Sequence, residues 1–222
     1  MTSPKVVLHI GSSDSSTSVV SFMSGAAKEM KLVLASSSPR RLELLGRLGV
    51  KPDRIASPDI DETPLKGELP RDYVLRMAQE KAAVVPRSAD EMLIAGDTIV
   101  AVGRRILGKA EDEAQQRGFL KLLGGRRHHT MSAVCVIAAD GTSRTKLSDS
   151  TIKFKRFQDS EIDAYIKSGE GLGKAGGYAI QGLAEAFVIS ISGSFSGIMG
   201  LPLYETRNLL ISSGYPFSHD GS

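Results

Sequence analysis

Residues 31–41 read KLVLASSSPRR, an apolar run followed by three hydroxyl side chains, a proline and two arginines. The apolar run is too short for a helix, so the stretch predicts a strand leading directly into a helix, with Ser38 as N-cap and Pro39 as the first helical residue. Free backbone N–H groups and the guanidinium groups would then meet at the end of the strand, which outlines an anion site. A capped helix with two solvated arginines explains the same residues equally well.

The composition is that of an ordinary globular domain. The 222 residues are 41% hydrophobic and 24% charged, with a net charge of +3, which suits one α/β domain or two small lobes around a cleft. The basic residues form no long runs and are not interleaved with aromatic residues, which argues against a nucleic-acid partner. No apolar stretch is long enough to span a membrane. The single cysteine, Cys135, lies in an apolar run, so we expect a buried thiol and a cytoplasmic protein.

The sequence divides into three parts. Residues 1–29 include a stretch of Ser, Thr, Asp and Gly that can bury little, which predicts a loose N-terminal extension. From Met30 onwards strands and helices alternate, so we expect the working domain to span residues 30–213. Residues 214–222 are then a C-terminal tail.

The segment after the opening strand predicts a first helix and a short strand. The helix spans residues 39–48, with Leu42, Leu45 and Leu48 facing inward, and the strand lies around Ile55. Both belong to the alternation of strands and helices that is typical of an α/β fold.

A charged residue lies on the apolar face of the second predicted helix. This helix begins at Pro70 and is stopped by Pro86, and Lys81 falls inside its apolar arc. The lysine either extends its ammonium group to water along an apolar stem or has a functional role.

A second charged residue interrupts a buried strand. Residues 92–102 are apolar except at Asp97 and Thr98, where Gly96 would allow a bend. An ionised carboxylate in this setting is costly unless a cation, a metal or hydrogen bonds hold it. Asp97 therefore either caps a turn or belongs to a functional site, because perturbed carboxylates collect at such sites.

The rest of the chain predicts further strands and helices. Residues 105–109 return as a hairpin partner of the interrupted strand, which would place Lys109 near Asp97. The neighbouring His128 and His129 have no further His or Cys spaced to complete a metal site, and we interpret both as surface residues. The other predicted elements are a helix over 111–123, strands over 130–139, 150–157 and 186–191, a helix over 159–167 and a last helix opened by Pro202.

Seven short blocks rich in charged, hydroxyl and glycine residues stand out between residues 31 and 211. They are ASSSPRR (35–41), DET (61–63), QEKA (79–82), GDT (96–98), GK (108–109), KAGGYAIQG (174–182) and GLP (200–202). In this order they resemble the Maf family of nucleoside triphosphate pyrophosphatases. The resemblance implies an inosine-triphosphatase-like (Maf/Ham1-like) α/β fold, with an elongated, twisted mixed sheet, flanking helices and two lobes around a central cleft. It also implies a homodimer, a divalent metal (Mg²⁺ or Mn²⁺), and hydrolysis of a nucleotide to its monophosphate and pyrophosphate.

The resemblance also implies roles for individual side chains. Asp97 matches the catalytic aspartate, which would orient or deprotonate the attacking water. The residues expected to bind the substrate phosphates are Ser36, Arg41, Lys81 and Lys109. Glu62 is the expected metal ligand beside Asp97, because magnesium prefers oxygen ligands. The family commonly has proline after the hairpin lysine, whereas this chain has Ala110.

Three further positions bear on the choice of base. Arg40, Thr98 and Gln181 match the branch of the family that takes dTTP and UTP, whereas the 7-methyl-GTP branch has an aromatic residue, a glutamine and an acid. The amide of Gln181 offers a donor and an acceptor side by side, which complements the O4 and N3–H of uracil. We therefore expect dTTP and UTP, or modified pyrimidine nucleotides, to be the substrates.

Three other functions stay open at this stage. A 7-methyl-GTP pyrophosphatase of the same family would share the phosphate site, and a non-catalytic nucleotide-binding regulator would keep that site without the chemistry. A nucleic-acid-binding protein would use the same basic residues on a phosphate backbone, with affinity that falls steeply with salt. Retention of Asp97, Glu62 and both lysines argues against the regulator, and the scattered basic residues argue against nucleic acid.

Overall fold

The structure, a computed structural model, describes residues 30–217 as a mixed α/β fold built on one seven-stranded sheet. Its strands are β1 (Lys31–Ala35), β2 (Arg54–Ala56), β3 (Glu91–Val102), β4 (Arg105–Leu107), β5 (Arg127–Ile137), β6 (Ser143–Phe154) and β7 (Val188–Ser192). Its helices are α1 (Pro39–Arg47), α2 (Pro70–Val84), α3 (Glu113–Leu123), α4 (Asp159–Lys167), α5 (Phe195–Met199) and α6 (Leu203–Ser212), with a 3-10 helix over Leu183–Phe187. The expected N-terminal extension and the last five residues of the expected tail lie outside the described residues. None of the helices between residues 30 and 217 has the length and hydrophobicity to cross a bilayer.

The strands run in the order β2-β1-β3-β5-β6-β7, and β4 pairs with β3 off this path. The β1 strand is parallel to both β2 and β3, whereas β5, β6 and β7 follow as antiparallel neighbours. The predicted mixed sheet with flanking helices is therefore confirmed.

A gap along one edge of β3 opens the sheet into a cleft. β1 pairs with residues 91–95 of β3, and β4 pairs with residues 100–102. Within the described residues, neither strand therefore pairs with residues 96–99 on that edge. Asp97 and Thr98 lie in this gap. Strand pairing alone therefore places them at the cleft between β1 and β4.

Two hydrophobic clusters cover the two faces of the sheet. Leu93, Ala95 and Ile99 of β3 pack in the cluster that includes α2. Met92, Ile94 and Val100 pack in the larger cluster on the opposite face. Asp97 shares the parity of the first set, so its side chain points toward α2. Tyr215, in the part of the expected tail that the structure describes, packs against the larger cluster.

The strand that holds Asp97 differs from the prediction, because β3 runs from Glu91 to Val102 as one strand. Its register with β5 continues across Gly96 and Asp97. A Cβ atom on Gly96 would lie 2.9 Å from the Ala133 carbonyl oxygen and 3.6 Å from Arg41 Nε. Glycine is therefore needed here for close packing, and the expectations of a bend or a turn capped by Asp97 are wrong.

The inward face of α1 also differs from the prediction. Leu44 and Leu45 are buried, Leu48 is half-buried, and Leu42 is 38% exposed. At 100° per residue, Leu42 lies about 110° from the middle of the face formed by Leu44 and Leu45. The prediction of Leu42 as an inward residue is therefore wrong, and that of Leu45 is confirmed.

Strand boundaries account for the largest error, which concerns His128. β5 begins at Arg127, ahead of the predicted start at residue 130, so the strand takes in both histidines. They face opposite ways: His129 Nδ1 lies 2.8 Å from Asp149 Oδ1, whereas His128 is fully buried. The prediction that His128 is a surface residue is wrong. Its ring lies 4.9 Å from that of Phe154, between centroids, and its Nε2 lies 2.9 Å from the buried Tyr178 hydroxyl.

Candidate active site

A cavity of about 500 Å³ opens at the gap in β3. Its lining includes the end of β1, the start of α1, the centre of β3, and the glycine-rich loop (residues 168–182) before the 3-10 helix. All nine residues predicted as site residues line it, namely Ser36, Arg40, Arg41, Glu62, Lys81, Asp97, Thr98, Lys109 and Gln181. The structure thus brings the predicted residues together from six separate stretches of sequence.

A buried ion pair lies at the bottom of the site. Lys81 Nζ lies 2.6 Å from Asp97 Oδ1 and 3.0 Å from Glu62 Oε1. The side chains of Lys81 and Asp97 are only 8% and 9% exposed, whereas Glu62 is 45% exposed. Of the cation, metal or hydrogen bonds expected to hold Asp97, the structure shows a cation, Lys81, and the lysine on the apolar arc does not extend to water.

The loop that carries Glu62 is fixed to α2. The Tyr73 hydroxyl donates a hydrogen bond of 2.8 Å to the Glu62 carbonyl oxygen, and burial raises the pKa of Tyr73 to about 12. Arg76 donates two hydrogen bonds of 2.7 Å to Glu68, and these hold the pKa of that carboxyl at about 2. Glu62 is therefore presented to the cleft by a loop that α2 anchors at two points, Glu62 itself and Glu68.

Arg41 is bound on all three of its nitrogen atoms. Nε donates to the Gly200 carbonyl oxygen at 2.9 Å, Nη1 to Ser36 Oγ at 3.2 Å, and Nη2 to Thr98 Oγ1 at 3.3 Å. Burial lowers the pKa of the Arg41 guanidinium, and the negative charge of Asp97 opposes this shift. Because a guanidinium has five N–H groups, one hydrogen on each terminal nitrogen remains available to a ligand.

The other cations of the cleft are less constrained. Arg40 is half-buried, which lowers its pKa, and its buried Nε has no hydrogen-bond partner among the described residues. Lys109 pairs through its backbone with Ala175, which places it beside the glycine-rich loop. Lys174 also lines the cavity, and burial and the charge of Arg40 both lower its pKa. Sequence reasoning did not select Lys174 as a site residue, although it begins the KAGGYAIQG block.

Two carboxylates could hold a divalent metal. Asp97 and Glu62 are close neighbours, since one oxygen of each lies within 3.0 Å of Lys81 Nζ, and the second oxygen of each remains for a metal. Among residues 30–217, no group of three or more His, Cys, Asp or Glu side chains is close enough to form a complete protein site. Magnesium often binds one or two carboxylates together with substrate phosphates and water, so this pair fits an ion whose shell is completed by a nucleotide.

The site agrees with the family that most of the chain matches. The family model described as Maf-like protein matches residues 31–213. This chain belongs to the Maf family. Curated Maf relatives named dTTP/UTP pyrophosphatase include one from Sphingopyxis alaskensis, 63% identical over 185 residues that cover 83% of this chain and 97% of the relative. Another, from Novosphingobium aromaticivorans, is 59% identical over 192 residues that cover 86% of this chain and 96% of the relative.

Solved structures share weaker similarity with this Maf chain. The Ham1 protein of Staphylococcus aureus has 16% sequence identity and a TM-score of 0.39, covering 56% of this chain and 71% of its own. A nucleoside-triphosphatase, or dITP/XTP pyrophosphatase, from Mycobacterium abscessus has 18% identity and a TM-score of 0.40, covering 83% of this chain and 95% of its own. At these scores the likeness adds nothing to the assignment, which rests on the family match.

Proposed function

We propose that this Maf protein hydrolyses dTTP and UTP to the monophosphate and pyrophosphate with a divalent metal. One observation carries the proposal: a buried carboxylate, five cationic side chains and the Gln181 amide face the same cavity. The curated relatives at 59% and 63% identity, which bear this activity in their names, support the same substrates.

Asp97 would act on the attacking water. Its Oδ1 is held by Lys81 at 2.6 Å, and among the described residues no other hydrogen-bond partner contacts this carboxylate. Oδ2 is then the oxygen that would accept a proton from water as that water attacks the α-phosphorus and the bond to the leaving pyrophosphate breaks. A positioned base of this kind contributes about 10²- to 10⁴-fold to the rate.

Ser36, Arg41, Lys81 and Lys109 would bind the phosphates, together with Lys174. The Ser36 oxygen accepts hydrogen bonds from Arg41 and from the Ser38 N–H, both at 3.2 Å, so its own hydrogen can be donated to a phosphate oxygen. The Lys81 ammonium has three donors, of which Asp97 and Glu62 take two. These residues therefore keep donors available while they orient one another.

Gln181, Arg40 and Thr98 would select the base. Gln181 is exposed at the edge of the cavity, where its amide can meet the O4 and N3–H of uracil. The Thr98 hydroxyl contacts Ser132 Oγ at 2.7 Å and the Gly200 carbonyl oxygen at 3.3 Å. It would therefore hold the lining of the cavity around Gly200 in place. Discrimination of this kind can be large, because a bound base would cover the Gln181 amide and a mismatched one would leave it buried and unpaired.

A divalent metal, Mg²⁺ or Mn²⁺, would be held by Asp97 and Glu62. When bound, it would supply positive charge against the phosphates, where positioning and electrostatics provide most of the catalysis. The protein's own contribution is the anchored Glu62 loop and the ion pair that fixes Asp97.

We also propose that the protein is cytoplasmic, as its single free cysteine suggests, and that it is a homodimer, as the family resemblance implies. β7 is an edge strand of the sheet, it carries no charged residue, and Ile189 and Ile191 are 59% and 36% exposed. Natural proteins rarely leave such an edge uncovered, so a second copy is the occupant we expect. Light scattering should give a dimer for the wild type and a monomer for Ile189→Lys, and a monomeric wild type would contradict the proposal.

Pyrophosphate release from a panel of nucleotides tests the proposed activity. Purified protein with Mg²⁺ or Mn²⁺ should release pyrophosphate faster from dTTP and UTP than from CTP or 7-methyl-GTP. A preference for 7-methyl-GTP would reject the choice of base and leave the reaction type intact. Absence of pyrophosphate from every nucleotide, with tight nucleotide binding, would instead favour a regulator.

A further inference from the structure

The loop that carries Gln181 has almost no regular structure. Between Ser168 and Gly182 the chain forms turns, and its only strand-like pairing is the single bridge between Ala175 and Lys109. Yet the three residues before Gln181 are buried. Backbone hydrogen bonds to Gly108 and Ala110 hold residues 173–176, so side chains from other elements must hold the residues closer to Gln181.

Buried polar side chains form hydrogen bonds with the backbone of this loop. The Gln116 amide donates to the Gly177 carbonyl oxygen at 3.1 Å, and the Ala179 N–H donates to Tyr165 Oη at 2.9 Å. Between these two anchors, Tyr178 extends its own hydroxyl to the central sheet. All three anchors lie within five residues of Gln181 along the loop.

Tyr178 makes the link to the sheet. Its hydroxyl lies 2.9 Å from His128 Nε2 and 3.2 Å from Thr130 Oγ1, both on β5, and the ring is 5% exposed. The ring also packs edge-on against Phe154, at 5.0 Å between centroids. The aromatic contact anchors the ring in the core, and the hydroxyl fixes where along β5 the ring is held.

The protonation of this network follows from burial. Burial lowers the pKa of His128 to about 4, so the imidazole is neutral at physiological pH and carries one N–H. His128 Nδ1 is buried with no hydrogen-bond partner among the described residues. A proton on Nε2 leaves no buried donor unpaired, so we assign the chain of donors as His128 Nε2–H to Tyr178 Oη, and Tyr178 O–H to Thr130 Oγ1.

We infer that Tyr178 is a positioning residue for base selection, and that His128 acts through it by holding the loop that presents Gln181. Tyr178 lies three residues before Gln181 and lines the same cavity. The inference rests on the proposed function for its substrates, but the fixing of the loop can be measured without any substrate.

Tyr178→Phe tests the inference because it removes the hydroxyl and keeps the ring packed on Phe154. We expect kcat/KM for UTP to fall about five- to tenfold, the value of one buried hydrogen bond, mainly through KM. kcat/KM for CTP, whose base edge can pair with Gln181 only after the amide turns over, should change less, so the ratio of UTP to CTP falls. Amide hydrogen exchange in residues 176–182 should become faster, because the loop opens more often.

Three further variants separate positioning from general damage. Tyr73→Phe is the matched control: it removes the hydroxyl of another buried tyrosine, one that contacts the Glu62 loop. It should leave the UTP-to-CTP ratio and the exchange of residues 176–182 unchanged. At His128, Gln can supply an N–H near the position of Nε2 and should preserve the ratio better than Leu.

Each result decides the inference. Unchanged exchange in Tyr178→Phe would overturn it, whether or not the protein hydrolyses UTP. Faster exchange with an unchanged UTP-to-CTP ratio would also overturn it, because Tyr178 would then stabilise the loop without affecting base choice. If the wild type releases no pyrophosphate from UTP or dTTP, the proposed function fails. Tyr178→Phe and its control Tyr73→Phe are then compared by their relative affinities for UMP and CMP.

Discussion

Replacing Lys81 by methionine should destabilise the fold far more than replacing its partner Asp97 by asparagine. Lys81→Met keeps most of the unbranched apolar stem but leaves the Asp97 carboxylate buried without its cation, which lies at 2.6 Å in the wild type. Asp97→Asn leaves Lys81 with a second carboxylate, Glu62, at 3.0 Å. The two substitutions break the same contact and differ in the charge they leave behind.

The magnitude follows from burial. Removing one partner of a buried ion pair costs about 3–5 kcal/mol. Arg41 carries a positive charge near Asp97, so we expect the lower end of that range for Lys81→Met. For a domain of this size, about 3 kcal/mol lowers Tm by about 6–12 °C. Asp97→Asn should cost about 1 kcal/mol, the value of an ordinary hydrogen bond.

Thermal and urea unfolding of four proteins test this reasoning. They are the wild type, the two single variants, and the double variant Lys81→Met with Asp97→Asn. The double variant should be more stable than Lys81→Met alone, because it no longer buries an unpaired charge. If the double variant is as unstable as the sum of the two single variants, the lysine and the aspartate are not coupled and the argument is wrong.

Three further predictions concern activity and pH. Asp97→Asn should lower turnover by about 10²- to 10⁴-fold while nucleotide binding, measured by calorimetry, is retained; undiminished turnover would remove Asp97 from its role. Gln181→Glu should lower kcat/KM for UTP by at least about tenfold and raise the relative rate on 7-methyl-GTP, as followed by pyrophosphate release. Glu68 has its pKa lowered from 4.5 to about 2 by Arg76, so it stabilises the fold above about pH 4.5 and this contribution is lost as pH falls toward 2. The urea midpoint of Glu68→Gln should therefore fall less than that of the wild type between about pH 6 and pH 3, and parallel curves would contradict this.

Local patterns predicted much of the fold because the signals were short-range. Helix α4 spans Asp159–Lys167 as predicted, since acids begin it and Gly169 follows it. Most of β3 (Glu91–Val102) was recognisable from apolar content alone, and Lys81, singled out on an apolar helix face, lies in the cleft against Asp97. Where charge conflicted with an apolar pattern, the sequence pointed to the cleft.

The errors occur where a distant partner decides the outcome. His128 was read as a surface residue because its hydrogen-bond partner, Tyr178, lies 50 residues further along the chain. The first half of β6 was missed because its exposed face is polar, and only pairing with β5 over its whole length makes it a strand. The bend expected at Gly96 was wrong for the same reason, since the close neighbour that requires glycine is the Ala133 carbonyl oxygen on β5.

Contacts between distant residues also divide the cations of the cleft into two groups. Arg41 bonds the Gly200 carbonyl oxygen, 159 residues away, and Lys81 bonds Asp97 and Glu62, so both hold protein groups before any substrate binds. In contrast, no carboxylate of the described residues lies within ion-pair distance of Lys109 or Lys174. A triphosphate entering the cleft would therefore meet these unpaired lysines at lower cost, because binding there breaks no internal ion pair. Substitution of Lys109 or Lys174 should accordingly raise KM, whereas substitution of Lys81 should lower kcat, because it alters the position of Asp97.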